Sequence, residues 1–469
     1  MLKVFNTLTR KKEVFRPLEN KKVKMFVCGP TVYDFSHLGH AKTYVQFDVI
    51  VRYLRFKGYD VFYLQNITDL DDKIIDRAKK EGVDPQTIAR RFEEEYHKDM
   101  EALNVISVNK HARATDYIKE IISQVERLIE KGFAYQIEDG IYYDITKFKE
   151  YGKLSGRTAL EAEDAVSRID ESVNKRNKGD FCLWKRSEPD EPKWPSPWFE
   201  GRPGWHIEDT AITEAHFGPQ YDIHGGARDL IFPHHEAEIA QMEAISGKKP
   251  FVKYWLHTGF LTVNGKKMSK SLGNFVTIRE ALKKYDAETL RLFFVSSHYR
   301  SPIDYSEEKL EQCKKNLEKL YTTLRNLQEA KKRKETTESE KEFEEFLKDI
   351  EKEFEEYMDD DFNTPKALLC LYKLSNETNK LLDKQKNEIN ERVAEKIVKT
   401  FRKLGYIFGI LQKEIEKEEI PEEIKKLVEE REELRKRGEF EKADALREKI
   451  KSLGYLVEDT KEGPRVKKA

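Results

Sequence analysis

The alternation of apolar and polar positions between residues 24 and 68 predicts a strand, a helix and a second strand. KMFVC is a short apolar run that suits a buried strand, and VFYLQNIT is another. Between the two runs, apolar side chains recur every three or four residues, as one face of a helix requires: Ala41, Val45, Val49, Tyr53 and Phe56. This unit predicts a parallel sheet whose ligand crevice lies beyond the carboxyl ends of its strands.

The next part of the chain interrupts this α/β pattern. Residues 116–204 contain a helical stretch, a hairpin signal at Asp139-Gly140 and a run rich in proline and tryptophan, which predict an insertion into the sheet domain. The pattern then resumes with GWHIEDTAITEAHFG, YDIHGG and HHEAEIAQMEAISG, which predict strand, helix, strand and helix. Asn264-Gly265 predicts a tight turn before a loop rich in lysine and serine.

From residue 306 onward the chain consists mainly of strong helix formers. Amphipathic stretches such as EEKLEQCKKNLEKLYTTLRNLQEA and ERVAEKIVKTFRKLGYIFGILQ predict a helical bundle, and the charged segment KKRKETTESEKE is interpreted as a linker within it. The last segment predicts a small unit of two helices and a short extended tail. A chain of 469 residues is long enough for about three domains.

Composition excludes several classes of protein. No apolar run near the start has the form of a signal peptide, and none is long enough to span a membrane, so we expect a cytoplasmic protein without membrane contact. The four cysteines are far apart, which disfavours a disulfide framework or a zinc ribbon. The net charge of -1 gives no general affinity for polyanions, so any contact with nucleic acid must come from local patches.

The first chemical motif is His37-Leu38-Gly39-His40, which lies where the predicted helix begins. Gly39 has no side chain to keep a flat adenine ring away from the backbone, and the free N–H groups of a helix N-terminus favour an anion. Two histidine donors at that point suit a phosphate on which charge develops in a transition state. The alternative is a pair of histidines that only cap the helix.

The second motif is a cationic loop that suits closure on a triphosphate. Its residues are Lys267, Met268, Ser269, Lys270 and Ser271. The alternative is a solvated basic loop. The chain has neither a GxxxxGK[ST] nor a GxGxxG loop, so neither of these glycine-rich motifs is available to hold phosphates.

Together, HLGH and KMSKS resemble the signature pair of the class I aminoacyl-tRNA synthetases. The finer resemblance is to the cysteinyl-tRNA synthetase family, and it runs in order through nearly the whole chain: FVCGPTVYDFSHLGHAKTYVQFDV, NITDLDDKII, GRPGWHIE, DIHGGARDLIFPHHEAEIAQ, HTGFLTVNGKKMSKSLGNF and KADALREKIKSLGYLVEDTKEG. The resemblance implies a ligase that activates L-cysteine with ATP and transfers it to tRNA(Cys). It assigns His37, His40 and Lys270 to catalysis, and both motifs, Gly39 included, to ATP binding with Mg²⁺.

A candidate metal site involves Cys28, His234 and Glu238. His234 and Glu238 are four residues apart and share one face of a helix, and Cys28 follows the first strand. Taken alone, the spacing of His234 and Glu238 is more typical of a solvated helix face. The resemblance implies one Zn²⁺ per subunit held by these three residues and a second cysteine, but Asp209 stands where that cysteine is expected. A carboxylate is a harder donor than a thiolate, so we expect weaker zinc binding, with Asp209 still facing the site.

The resemblance also implies how cysteine is held. Thr68 and Asp229 are expected to bind its α-amino group, Trp205 to form a wall of the side-chain pocket, and His224 to lie near the substrate. The alternatives are helix caps for Thr68 and Asp229, a core position for Trp205 and a hydrogen-bonded loop histidine for His224.

The predicted fold is a Rossmann-like parallel-sheet catalytic domain with an inserted connective segment, then a helical bundle and a small anticodon-binding unit. The predicted boundaries are 1–115 and 205–260 for the two halves of the catalytic domain, 116–204 for the acceptor-end insertion, 261–305 for the KMSKS and stem-contact region, 306–412 for the bundle and 413–469 for the last unit. A monomer is expected. Three rival functions are a ligase that joins cysteine to an amino sugar, a catalytically silent tRNA-binding regulator and a metal-dependent hydrolase that uses Glu236 as its base.

Overall fold

The computed structural model describes residues 1–157, 174–268, 273–415, 421–460 and 463–468. Its strands are β1 (Lys3–Asn6), β2 (Lys11–Val14), β3 (Lys22–Val27), β4 (Asp60–Ile67), β5 (Lys110–Arg113), β6 (Ala134–Gln136), β7 (Gly140–Tyr143), β8 (Phe181–Arg186), β9 (Gly201–Pro203), β10 (Tyr221–Ala227), β11 (Val252–Thr258), β12 (Leu261–Val263), β13 (Lys266–Lys267), β14 (Ile303–Tyr305), β15 (Lys331–Arg333), β16 (Glu388–Asn390), β17 (Tyr455–Thr460) and β18 (Gly463–Lys468).

The α-helices of the same described residues are α1 (Leu38–Phe56), α2 (Asp72–Glu81), α3 (Pro85–Ala102), α4 (Ile118–Glu130), α5 (Ile207–Phe217), α6 (His234–Ser246), α7 (Ile278–Lys284), α8 (Ala287–Val295), α9 (Glu307–Glu329), α10 (Glu338–Asp359), α11 (Thr364–Lys384), α12 (Glu391–Phe408), α13 (Glu422–Lys436) and α14 (Phe440–Ser452). None of these helices has both the length and the apolar character that a membrane span requires.

A five-stranded parallel sheet forms the centre of the first unit, which comprises Met1–Gln412. Its strand order is β11-β10-β3-β4-β5, and every neighbouring pair is parallel. The predicted strand, helix and strand are β3, α1 and β4, which confirms the α/β fold class. Helix α1 is buried over most of its length because it lies between the sheet and helices α8 and α12.

The insertion forms an antiparallel sheet of its own, in the order β6-β7-β8-β9. The hairpin predicted at Asp139-Gly140 joins β6 to β7. The second predicted turn is also present: Asn264 and Gly265 have φ values of 51° and 72° and join β12 to β13. Two consecutive positive φ values suit the right-handed twist of a two-residue hairpin, and Asn-Gly adopts them at low cost.

Helices α9 to α12 form the predicted bundle, but the charged segment within it is not a free linker. Strand β15 pairs in parallel with β16, and Lys331 Nζ lies 2.6 Å from Glu388 Oε1. Thr337 caps α10 with a reciprocal bond to Glu340, so the second half of the segment is the start of that helix. Its lysines and glutamates suggested a solvated chain, whereas strand pairing and capping satisfy its backbone.

A buried ion-pair network ties the bundle to helix α1. Asp48 Oδ2 accepts hydrogen bonds from Arg52 Nε at 2.8 Å and from Arg291 Nη2 at 2.6 Å. Arg291 Nε also donates to the carbonyl oxygen of Phe408, at the end of α12. The two guanidinium groups hold the pKa of Asp48 below its ordinary value although burial alone would raise it. The helix that carries HLGH is thereby anchored along its C-terminal half.

The second unit, Lys413–Ala469, has a small core of its own. Helices α13 and α14 pack together through an apolar group with Val457 of β17: Ile424, Leu427, Val428 and Ile450. The short extended tail predicted here forms an antiparallel pair, β17 and β18. Arg431 makes a two-pronged bond to Asp459, with N–O distances of 2.7 and 2.9 Å, and so fixes β17 to α13.

Candidate active site

The predicted site residues collect at the carboxyl edge of the parallel sheet. Cys28 follows β3 directly, Thr68 follows β4, and His224 lies in β10. Helix α5 carries Asp209 and helix α6 carries His234 and Glu238. This edge is where an open parallel sheet binds its ligands, because the connections to the covering helices diverge there.

Four donors at this edge lie close enough to hold one metal ion. One ligand atom from each of Cys28, His234, His235 and Glu238 falls within 4.8 Å of all the others, and all four residues are buried. Asp209 joins the group, with Oδ2 at 3.5 Å from Cys28 Sγ and 3.0 Å from His234 Nε2. The structure therefore places all four sequence-predicted metal ligands together and adds His235, which the sequence reasoning missed.

The donor set fits a zinc-like ion. Asp209 Oδ1 and both carboxylate oxygens of Glu238 are buried and receive no correctly directed hydrogen bond from the described residues, although Glu238 Oε1 lies 2.9 Å from His234 Nε2. Buried carboxylate oxygens without donors are costly unless a cation meets them. One thiol, imidazole nitrogens and carboxylate oxygens are donors that Zn²⁺ accepts.

Charge couples these residues strongly. Burial alone would lower the pKa of His234, but Glu238 and Asp209 raise it to about 10, so His234 carries a proton between the two carboxylates at neutral pH. Burial, together with Asp209 and Glu238, also raises the pKa of Cys28 well above its ordinary value. A metal ion at this point would take the place of both protons.

Hydrogen bonds to the second ring nitrogen orient each histidine around Cys28. The pairs are His234 Nδ1 with His206 Nδ1 at 2.9 Å, His224 Nδ1 with the Tyr221 hydroxyl at 2.6 Å, and His235 Nδ1 with His257 Nε2 at 2.8 Å. The Nε2 atoms of His224 and His235 lie 3.4 and 3.1 Å from Cys28 Sγ. Such outer bonds fix the ring and its tautomer for metal binding.

A glycine makes room for the second of these rings. A Cβ on Gly226 would lie 2.8 Å from Cε1 of His235, closer than real atoms approach. Gly226 in DIHGG therefore lets α6 bring His235 against the sheet, and the preceding Gly225 makes room for Phe47 of α1. The doublet His234-His235 is the sequence signal for this further ligand candidate, because its second member also lies at the start of α6.

The HLGH turn forms the other end of the edge. His37 caps α1, with Nδ1 accepting from the backbone N–H groups of Gly39 at 3.0 Å and of His40 at 3.4 Å. The His37 N–H in turn donates to His40 Nδ1 at 3.4 Å, and the two rings stack with their centroids 3.9 Å apart. The capping alternative is therefore correct in its geometry. It uses the Nδ1 atoms, and in the described part of the chain no hydrogen bond engages either Nε2 atom, so both can meet a ligand.

Both histidines of this turn are neutral at physiological pH. Burial lowers the pKa of His37 to about 4. Burial also lowers the pKa of His40 well below its ordinary value, and the nearby charge of Lys73 lowers it further. Because each Nδ1 accepts a hydrogen bond, the proton of each neutral ring is on Nε2. The pair thus presents two neutral N–H donors.

The segments that flank the KMSKS loop pack directly on the HLGH turn. Leu38 N donates to the carbonyl oxygen of Val276 at 3.1 Å. A Cβ on Gly39 would lie 3.6 Å from Cε of Met268, and it would strike the His37 ring at 2.8 Å, so capping itself requires a glycine here. Lys267 is the last residue of β13. Ser269, Lys270 and Ser271 lie outside the described residues.

The residues predicted to bind cysteine are divided between buried and exposed positions. Thr68 is buried, and Trp205 stacks on His234 with centroids 4.5 Å apart. His224 is fully buried against Cys28. Asp229 is exposed on a short turn after β10, and the structure does not bring it into the buried group.

The position of Glu236 removes the only support for a metal-dependent hydrolase. Glu236 Oε2 accepts the backbone N–H groups of Leu154 at 3.1 Å and Ser155 at 2.8 Å. This carboxylate therefore holds the insertion against α6. Since its oxygen is engaged by two backbone donors, it is not a general base beside the metal donors.

Three family models match successive parts of the chain. They are described as the tRNA synthetases class I (C) catalytic domain, over residues 14–315, the DALR domain, over 353–412, and the cysteinyl-tRNA ligase anticodon binding domain, over 417–465. The first alone covers more than half of the chain.

Relatives match over nearly their full length. The cysteine–tRNA ligase of Thermococcus gammatolerans is 49% identical over 471 residues, which cover 98% of each chain. That of Methanococcus maripaludis strain C6 is 49% identical over 478 residues, which cover 100% of this chain and 99% of the relative. Among solved structures, methionyl-tRNA synthetase of Mycobacterium tuberculosis with methionyl-adenylate has a TM-score of 0.59 at 18% identity, covering 82% of this chain and 89% of that one, so it supports the fold.

Proposed function

This chain belongs to the cysteine–tRNA ligase family of class I aminoacyl-tRNA synthetases, and we propose that its HLGH turn and its Cys28 cluster are the two ends of one active site. The family's reaction uses ATP, an amino acid and tRNA. The observation that carries the proposal is that both ends belong to one connection, from β3 to α1: Cys28 begins it, and His37 to His40 end it. The proposal assigns the α-phosphate of ATP to the HLGH end and the side chain of cysteine to the Cys28 end.

The first step joins the cysteine carboxylate to the α-phosphorus of ATP and releases pyrophosphate. The neutral Nε2–H groups of His37 and His40 are assigned to the α-phosphate, where they stabilise the charge of the transition state without adding positive charge beforehand. Gly39 receives the adenine. Lys267, Met268, Ser269, Lys270 and Ser271 are assigned to the triphosphate, with Lys270 on the departing pyrophosphate and Mg²⁺ bound with ATP.

In the second step, a hydroxyl of the terminal ribose of tRNA(Cys) takes the cysteinyl group and AMP leaves. Thr68 and Asp229 are assigned to the α-amino group, Trp205 to the wall of the pocket, and His224 to the substrate's surroundings. We assign one zinc ion to Cys28, His234, Glu238 and Asp209. When bound, zinc supplies a partner for the substrate sulfur and so separates cysteine from serine by bond chemistry.

The division of labour along the chain is also a proposal. Residues 1–115 and 205–260 form the catalytic domain, 116–204 contact the acceptor end, 261–305 carry the KMSKS and stem-contact region, 306–412 form the bundle and 413–469 read the anticodon. The protein is proposed to act as a cytoplasmic monomer without membrane contact, and light scattering of the purified chain tests its mass.

Exchange of labelled pyrophosphate into ATP tests the assignments. We expect exchange that depends on L-cysteine, does not need tRNA and is not supported by L-serine. Lys270→Ala should slow this exchange while cysteine binding stays unchanged, because the lysine is assigned to the leaving group. The matched control is Lys266→Ala, which changes an exposed lysine of β13. Equal losses in exchange and in cysteine binding would contradict the role given to Lys270.

A further inference from the structure

One face of helix α3 packs against the segment that leads into the HLGH turn. Phe92, Glu95 and Asp99 are spaced three and four residues apart, so they share this face. The ring of Phe35, two residues before His37, meets the ring of Phe92 edge to face, with the centroids 5.3 Å apart. Aromatic pairs favour this arrangement. The face thus fixes the chain just before HLGH and presents two carboxylates beside it.

Arg279 of α7 is the cation that meets both carboxylates. Its Nη1 lies 2.6 Å from Glu95 Oε2, and its Nη2 donates to Asp99 Oδ1 at 3.1 Å. Its guanidinium also lies over the ring of Phe35, with Cζ 4.1 Å from the ring centroid. Asp99 is buried, and in the described part of the chain Arg279 is the one cation paired with it. A planar guanidinium can contact two carboxylates and an aromatic face together.

The backbone just before Arg279 is bonded to the HLGH turn itself. His37 and Thr277 form an antiparallel bridge, and the Ile278 N–H donates to the carbonyl oxygen of Ser36 at 3.0 Å. Thr277 is also the N-cap residue of α7, so the bridge continues directly into the helix that carries Arg279. A displacement of α7 therefore moves the backbone that carries His37.

We propose that Arg279 is a positioning residue for adenylate formation: by holding α7 and Phe35 on α3, it sets the position of the two HLGH histidines. The assignment rests on the proposed function, in which these histidines meet the α-phosphate. The segment that α7 anchors also orients the imidazole, because the ring of Phe275 meets the His37 ring edge to face at 5.2 Å. Arg279 itself is assigned no contact with the substrate.

The first test removes the guanidinium. In Arg279→Met we expect kcat for cysteine-dependent pyrophosphate exchange to fall about 10- to 100-fold, because small displacements of catalytic groups are costly, while the KM for cysteine, which is assigned to the Cys28 end, is unchanged. Arg279→Lys restores a charge without the planar fork and should recover part of the rate. The matched control is Lys284→Met, since Lys284 lies on the same helix and pairs with Glu307 of α9. Wild-type exchange by Arg279→Met would overturn the proposal.

A double mutant separates positioning from simple stabilisation. The ion pair is partly exposed, with 34% of the Arg279 side chain and 21% of the Glu95 side chain accessible, and such pairs contribute little to stability. If Arg279 acts through the HLGH histidines, adding Arg279→Met to His37→Asn should slow exchange much less than it does in the wild type. Losses that multiply would overturn the proposal, as would a loss of folded protein, followed by circular dichroism, that accounts for the lower rate.

Two further results keep the proposal distinct from the general function. If Arg279→Met does not fold, Glu95→Gln, which removes one arm of the ion pair, is combined with His37→Asn, and losses that multiply there would again overturn it. If the wild-type protein supports no cysteine-dependent exchange, the proposed function fails together with this inference. Normal wild-type exchange confines any failure to the role of Arg279.

Discussion

His37 is partly buried and His234 is buried, both at the carboxyl edge of one sheet, and their surroundings shift their pKa in opposite directions. Burial lowers the pKa of His37 to about 4, and its hydrogen bonds are to backbone N–H groups. Burial acts on His234 in the same sense, but Glu238 and Asp209 outweigh it and raise the pKa to about 10. His234 is the more deeply buried of the two and yet has the raised pKa, so burial alone does not decide their state.

Neighbouring carboxylates account for the difference. In the HLGH turn of the described structure no carboxylate pairs with either ring, and the histidines remain neutral donors suited to a phosphate that brings its own charge. In the Cys28 cluster two carboxylates surround one ring, which suits a cation. One residue type thus serves an anion at one end of the site and a metal ion at the other.

Removing His234 should have the largest effect. His234→Ala leaves Asp209 and Glu238 buried without the imidazole they share, and losing one partner of a buried charged group costs about 3–5 kcal/mol. We expect the metal to be lost on elemental analysis and cysteine-dependent exchange to fall about 10³-fold. His216→Ala is the control, because the hydrogen bond that His216 makes within the described residues is to the Tyr117 hydroxyl, outside the cluster. Retention of metal by His234→Ala would show that His235 suffices.

Two substitutions of His37 separate its capping of α1 from its role in the reaction. His37→Asn keeps an oxygen that can cap α1, but it removes the Nε2–H donor. We expect the turnover of pyrophosphate exchange to fall about 10²-fold, as for other lost transition-state donors, while the KM for cysteine is unchanged. His37→Ala should add a loss of about 1 kcal/mol in stability from the missing cap. If His37→Asn exchanges at the wild-type rate, His37 serves the helix alone.

The dependence of stability on pH tests whether His37 is neutral in the folded protein. Its pKa is about 4 when folded and about 6.5 in an unfolded chain, so the unfolded state binds more protons between these values and stability falls as pH falls through that window. Between pH 7 and pH 5, the contribution of His37 to the free energy of unfolding should fall by about 2 kcal/mol. Urea unfolding should therefore show wild type and His37→Asn approaching each other by that amount. A constant gap between them would mean that His37 is not held neutral.

The two ends also differ in how well the sequence predicted them. HLGH is a local motif, and its position at the start of α1 follows from the apolar period of the helix. The Cys28 cluster joins residues about two hundred positions apart, so its membership came from resemblance. Pattern alone could not show that His235 would reach Cys28. The prediction of a linker at residues 331–342 is wrong because the strand pairing of β15 with β16 is likewise non-local.

Asp209 offers the finest test of the metal end. Its Oδ2 lies 3.5 Å from Cys28 Sγ and 3.0 Å from His234 Nε2, so a thiolate at this position would face the same point. Asp209→Cys replaces a hard donor by a soft one that zinc prefers. Under reducing conditions we expect the variant to release its metal to a chelator about 10-fold more slowly, which is the size of effect seen when groups around a metal are altered. The release is followed with a zinc-sensitive dye, with Glu214→Gln, farther along the same helix, as the control. An unchanged release rate would exclude Asp209 from the donors and leave His235, whose ring is already fixed by His257, as the fourth ligand.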